Sequence, residues 1–160
     1  MTGQNIYLPL ALTANRNGRA VGTTIAGEKT PLSPIAGTAV VKVFQLEVAT
    51  TGLTDLDAAK EYGFNPVKVT IDSHSRAGYC PGAKPIKISL IADRDSKRIL
   101  GSSMVGEEGV SKRIDIIATA LYSRITVQEL ENLDLAYAPP FSPVWDPVLT
   151  AARVLNGRLK

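Results

Sequence analysis

Cys80 and His74 are the single cysteine and the single histidine of this chain. One thiol cannot form an internal disulfide, and one thiol with one imidazole cannot build a zinc-finger type of metal site. Neither residue has the companions needed for a nucleophile–base–orienter set. Read singly, Cys80 is a turn or core thiol and His74 a hydrogen-bonded or surface imidazole. The carboxylates are scattered. Glu107 and Glu108 are adjacent, Asp93 and Asp95 fall in a charged turn, and each pair reads as solvated charge. No Gly-x-Gly-x-x-Gly follows a strand and no Walker A loop is present, so the chain has no dinucleotide or P-loop fingerprint. The densest chemical feature is instead Ala136 to Pro147. It holds four of the ten prolines, the only tryptophan (Trp145), Tyr137 and Phe141. Proline fixes φ and removes an amide donor, so this segment is a stiff loop and neither a helix nor a central strand. Its apolar, aromatic character marks a contact surface.

Composition bounds the class. The chain has 160 residues, 44% hydrophobic and 21% charged, with a formal net charge of +3. That suits one compact globular domain. Basic residues form no run beyond a sparse tail at Arg153, Arg158 and Lys160, which argues against a nucleic-acid protein and leaves room for a phosphorylated small ligand. The cysteine usage fits a reducing cytoplasm. There is no signal-peptide pattern and no apolar run long enough to span a bilayer.

The elements that must position these residues are legible from periodicity and punctuation. Thr13 to Ala26 is helical and ends at Gly27; Ala14, Gly18 and Gly22 place small residues in one row, the pattern of close packing on a neighbour. Lys29 to Pro34 is a linker. Val40 to Ala49 is a strand or a bent pair of strands. Thr54-Asp55-Leu56-Asp57 opens a short helix that stops at Gly63. Val67 to Ile71, Ile86 to Ala92 and Ile99 to Val105 form an antiparallel meander with one buried face. Val110, Ile114, Ile117, Ala118 and Leu121 recur at helical spacing. Thr126 to Glu129 is a capping box, and Asp146-Pro147 caps a last helix closed near Gly157. The sum is an α+β fold, helices packed on one face of an antiparallel sheet.

Four stretches in this order resemble the dimerisation domain of pyridine nucleotide-disulfide oxidoreductases, in the branch of coenzyme A-disulfide reductases and NADH oxidases. They are Thr38 to Phe44 with Thr51-Gly52-Leu53, Ala77 to Ala83, Val105 to Asp115, and Asp134 to Phe141. The resemblance runs from about residue 35 to 156. A separate stretch, Tyr7 to Ala20, resembles the last loop and helix of the FAD-binding domain of such enzymes. This divides the chain into a remnant with linker at 1–34 and a dimerisation domain at 35–160.

The resemblance implies a homodimer in which each subunit lends residues to its partner's site. By motif position Tyr79 and Tyr137 would approach the sulfur chemistry in trans, with Pro139, Pro140, Phe141 and Trp145 at the interface. Leu10, Ala11 and Leu12 would lie beside the flavin. FAD and NAD(P)H are implied for the parent enzyme, none for the isolated chain, and a small disulfide or coenzyme A for the substrate; no metal, nucleic acid or membrane is implied. The chain departs from the pattern where a histidine and a second tyrosine usually flank the first tyrosine; Arg76 and Cys80 stand there. Arg76, Lys112 and Arg113 are candidates for a coenzyme A phosphate, against solvated faces for the last two. The other reading is a free-standing module that binds coenzyme A or a nucleotide thiol.

Overall fold

Ten elements order the chain, and the structure, a computed structural model, describes residues 2–160. They are α1 (Ala11–Ile25), β1 (Ala39–Val43), β2 (Leu46–Gly52), α2 (Leu56–Glu61), β3 (Pro66–His74), β4 (Pro85–Asp93), β5 (Ile99–Gly106), α3 (Val110–Ser123), α4 (Val127–Glu131) and α5 (Pro147–Arg158). The five strands form one sheet in the order β1-β2-β5-β4-β3, every neighbour antiparallel. The expected meander is therefore β3-β4-β5, and a hairpin adds β1 and β2 to its β5 edge. None of the described helices is long and apolar enough to cross a membrane.

Alternation decides what the sheet buries. Val69, Ile86, Ile88, Leu90, Ala92 and Met104 point to one face. There they meet Val110, Ile114 and Ile117 of α3, Val127 and Leu130 of α4, and Val148, Ala151, Ala152 and Leu155 of α5. The other face is also covered at one end. Ile91 and Leu100 pack with Ala59, Leu53, Leu56 and Phe64, so the short α2 lies opposite the main helical layer. A register shift makes this possible. Ile91 pairs with Gly101 and Ala92 with Ile99, leaving Leu100 as an extra residue. Its carbonyl accepts the Leu53 amide at 2.9 Å.

Local chemistry sets the helix ends. Asp55 accepts from the amides of Asp57 and Ala58 at 3.0 and 2.9 Å and starts α2. Thr126 and Glu129 complete the capping box of α4. Helix α3 starts after Gly109 in the left-handed region and has no cap from its own flank. Glu47 of β2 supplies one across the fold, accepting from the amides of Val110 and Ser111 at 2.9 and 3.3 Å. A carboxylate there also meets the positive end of the helix dipole.

Asp93, read from sequence as solvated, is instead buried. It accepts from the amides of Asn65 and Ser96, both at 2.9 Å, and from the Ser96 hydroxyl at 2.6 Å. Burial pushes its carboxyl up, and these bonds outweigh that and hold it below its ordinary value.

Helix α1 behaves differently from the rest. Gly27 ends it with φ +97°, as expected. Yet only Ala20 of α1 is buried, and a side chain added at Gly18 or Gly22 would meet nothing. The row of small residues faces open space within this chain.

Candidate functional site

Two loops meet at the α3 end of the sheet. The first, residues 75–84, joins β3 to β4 and carries Tyr79. The second, 132–146, joins α4 to α5 and carries Tyr137. Ser75 closes the neck of the first loop. Its amide donates to the Lys84 carbonyl at 2.7 Å and its hydroxyl accepts from the Lys84 amide at 3.1 Å. Inside the loop the Cys80 amide donates to Ala77 at 2.8 Å, and Cys80 is partly buried. The second loop is irregular, as its prolines require, with a turn in which Phe141 and Ser142 both donate to the Ala138 carbonyl, at 2.9 and 3.1 Å. One backbone bond joins the loops directly, Ala77 N–H to Pro139 carbonyl at 3.2 Å.

Tyr79 and Tyr137 are brought together. Contact with the Tyr79 hydroxyl is the main cause that holds the Tyr137 phenol above its ordinary range, and desolvation adds to it. Both rings remain open to solvent, Tyr79 at 78% and Tyr137 at 47%. Two phenols on one exposed ledge are donors for an anion that develops beside them.

Beneath the ledge lies a charged cluster. Arg113 is fully buried and pairs with the buried Asp146, its Nε 3.1 Å from both carboxylate oxygens. Asp146 also accepts from the Val148 amide at 2.9 Å, capping α5, and from the Ser142 hydroxyl at 3.0 Å. The reading of Arg113 as a solvated or phosphate-binding side chain is thus corrected: a core carboxylate holds it. Glu108 takes hydrogen bonds from Ser75 Oγ at 2.9 Å and from the Arg76 guanidinium. Arg76 is therefore committed to a carboxylate. Burial pushes the Glu108 carboxyl up, but the bonds from Ser75 and Arg76 and the charges of Arg76 and Arg113 hold it below its ordinary value. Glu107 pairs with Lys84 at 3.0 Å. Neither glutamate is a free solvated charge. His74 is exposed at the end of β3. Lys112 reaches the Phe141 carbonyl at 3.4 Å on the surface.

Because Asp93 and Glu108 both titrate lower in the fold, the unfolded chain takes up their protons first as pH falls. Their stabilisation is whole above the ordinary carboxylate range, about pH 4, and is lost as pH falls through the lower folded values. Urea midpoints are expected to fall below about pH 4 in the native sequence, and to fall less steeply in Glu108→Gln.

Most of the predicted interface residues are exposed and apolar. Pro139 is half-buried, while Pro140, Phe141 and Trp145 are exposed. The Arg153 guanidinium covers one side of Trp145, 6.0 Å from the ring centre. Val40, Val41, Val43 and Phe44 of the β1–β2 hairpin are exposed as well, Phe44 at 91%. Leu10 precedes α1 and caps it with no side-chain bond; Ala11 and Leu12 are exposed, so the first amides of α1 are open. An uncapped helix start of this kind leaves amide donors that can meet an anionic group. Sequence reasoning missed the buried roles of Arg113 and Asp93 and the pairing of Glu108. The Asp146 cap was its one legible signal.

The model of the pyridine nucleotide-disulphide oxidoreductase dimerisation domain matches residues 38–147. The NAD(P)H coenzyme A polysulfide/persulfide reductase of Pyrococcus horikoshii is 39% identical over 156 residues, 98% of this chain and 35% of that protein. A coenzyme A disulfide reductase of Staphylococcus aureus is 36% identical over 136 residues, 84% of this chain and 30% of that protein. Among solved structures, a NAD-dependent persulfide reductase from A. fulgidus matches with a TM-score of 0.93 at 40% identity, over 98% of this chain and 29% of that one. The chain spans about a third of the length of these curated relatives. These matches show that the chain belongs to the pyridine nucleotide-disulphide oxidoreductase family, as its dimerisation domain.

Proposed function

We propose that this domain pairs with a second copy and offers Tyr79 and Tyr137 to the active site of a FAD-dependent, NAD(P)H-using reductase of small disulfides or persulfides of coenzyme A. The observation that carries this is the shared ledge: the loops of Tyr79 and Tyr137 are joined by the Ala77–Pro139 backbone bond and leave both phenols exposed. A phenol that gives a hydrogen bond to the departing sulfur stabilises thiolate charge as it grows. The exposed apolar side chains of Phe141, Val144 and Trp145, and those of the β1–β2 hairpin, support an isologous interface. The loop and helix ahead of the Lys29–Pro34 linker would be the closing piece of an FAD-binding domain, and the open amides of Ala11 and Leu12 would help hold the flavin. FAD, when bound, supplies the two-electron relay from NAD(P)H. The chain's own residues orient the disulfide and hold the proton.

The test is a chimera in which this chain replaces the matching stretch of the Pyrococcus horikoshii reductase. It is expected to be a dimer by light scattering and to reduce coenzyme A disulfide with NADH. Tyr137→Phe in the chimera is expected to lower kcat about 10- to 100-fold at unchanged FAD content. A monomeric chimera that retains turnover would sink the shared site. Unchanged kinetics in Tyr137→Phe would remove that residue from it.

A further inference from the structure

The Arg113 guanidinium sits between the ends of both tyrosine loops. Nη2 donates to the Ser75 carbonyl at 3.0 Å, and Ser75 is the first residue of the Tyr79 loop. Nε and Nη2 reach Asp146, the last residue of the Tyr137 loop, at 3.1 and 3.0 Å. Nη1 turns back to the Gly109 carbonyl at 3.0 Å, which locks the side chain against its own helix. Gly109 leaves room for this, since a Cβ there would collide with Nη1. Ser142 adds its bond to the same carboxylate from inside the second loop.

We propose that Arg113 is a positioning residue: its rigid, planar fork fixes the separation of the Tyr79 and Tyr137 loops and so where the two phenols meet. The inference rests on the reading of those phenols as the reacting face. A buried ion pair needed only for packing can be exchanged for uncharged groups of similar volume. Arg113 does more than pair. Its partners are a loop carbonyl, a helix-capping carboxylate and a helix-start carbonyl on three separate segments, and directed N–H groups on all three guanidinium nitrogens are needed to reach them. Lysine keeps the charge but has no fork of that span. The one direct tie between the loops, Ala77 to Pro139, lies between the Arg113 contacts and the tyrosines. Its alignment therefore depends on them.

The test is the titration of Tyr137 in the chain itself, followed by NMR with ring-labelled tyrosine and assigned by Tyr137→Phe. Tyr79→Phe gives the midpoint of an unpaired Tyr137, expected below that of the native chain. The double variant Arg113→Met/Asp146→Asn removes both buried charges together and keeps an asparagine cap on α5. It is expected to stay folded by far-UV circular dichroism, with its Tyr137 midpoint at the Tyr79→Phe value. Arg113→Lys, which keeps the charge, is expected to show the same midpoint. A packing role alone would lower the melting temperature of these variants and leave the Tyr137 midpoint raised. That result in either folded variant overturns the proposal, as does a Tyr79→Phe chain with an unchanged Tyr137. The titration needs neither flavin nor substrate, so its failure is separate from a failure of disulfide turnover.

Discussion

Asp146→Ala is expected to destabilise the domain by about 3–5 kcal/mol, the range for removing one member of a buried ion pair. The charge left behind on Arg113 is fully enclosed, and pairing is what makes its burial tolerable. Loss of the α5 cap adds about 1 kcal/mol within that range. The Val148 amide and the Ser142 hydroxyl lose their acceptor as well. Equilibrium urea unfolding checks this through the midpoint at unchanged slope. Asp146→Asn should lose less, because asparagine still caps α5. Equal losses in the two variants would show that the lost charge, rather than the cap and the side-chain shape, carries the effect.

Gly101→Ala is expected to cost about 3 kcal/mol or more, at the upper end for overpacking. A Cβ at Gly101 would enter the backbone of Leu53, 2.6 Å from its nitrogen. Backbone cannot swing aside as a side-chain tip can. Leu53 is also held in place by its bond to Leu100. Gly18→Ala in exposed α1 should have the opposite sign, a gain of up to about 1 kcal/mol, because the position is open and alanine favours a helix. Thermal melts of the two variants give the contrast directly. A Gly101→Ala domain that melts with the native one would mean that the Leu53 turn relaxes freely.

What was legible in the sequence was local. The capping box at Thr126, the Asp146-Pro147 start and the alternation of β3 and β4 all depend on residues within a few positions of each other. They appear where expected. The β1–β2 hairpin was only half legible. Its two-residue turn uses Phe44 at φ +53° instead of the glycine or asparagine that would announce it. Arg113 was not legible, since it follows Lys112 on a helix and looks solvated. Its burial comes from two loops that fold over it from 38 residues before and 33 after. The row of Ala14, Gly18 and Gly22 was readable as a packing surface, but Ala14 is exposed and, among the described residues, nothing lies against Gly18 or Gly22. The assignment of Tyr79 and Tyr137 to one site came from the family resemblance and from no local signal.

The sheet order also has a kinetic consequence. The β1–β2 hairpin and the β3-β4-β5 meander each close through short connections, so each can form with little loss of chain freedom. The β2–β5 seam joins them across the whole intervening meander. Its entropy of closure must be met before its contacts return anything, so the seam is expected to form after the hairpin and the meander. Gly52 and Gly101 pair at one end of that seam, where Leu53 turns away, and Glu47 at the other end caps α3. Closing the seam therefore completes the sheet and finishes the helix that carries Arg113 in the same event.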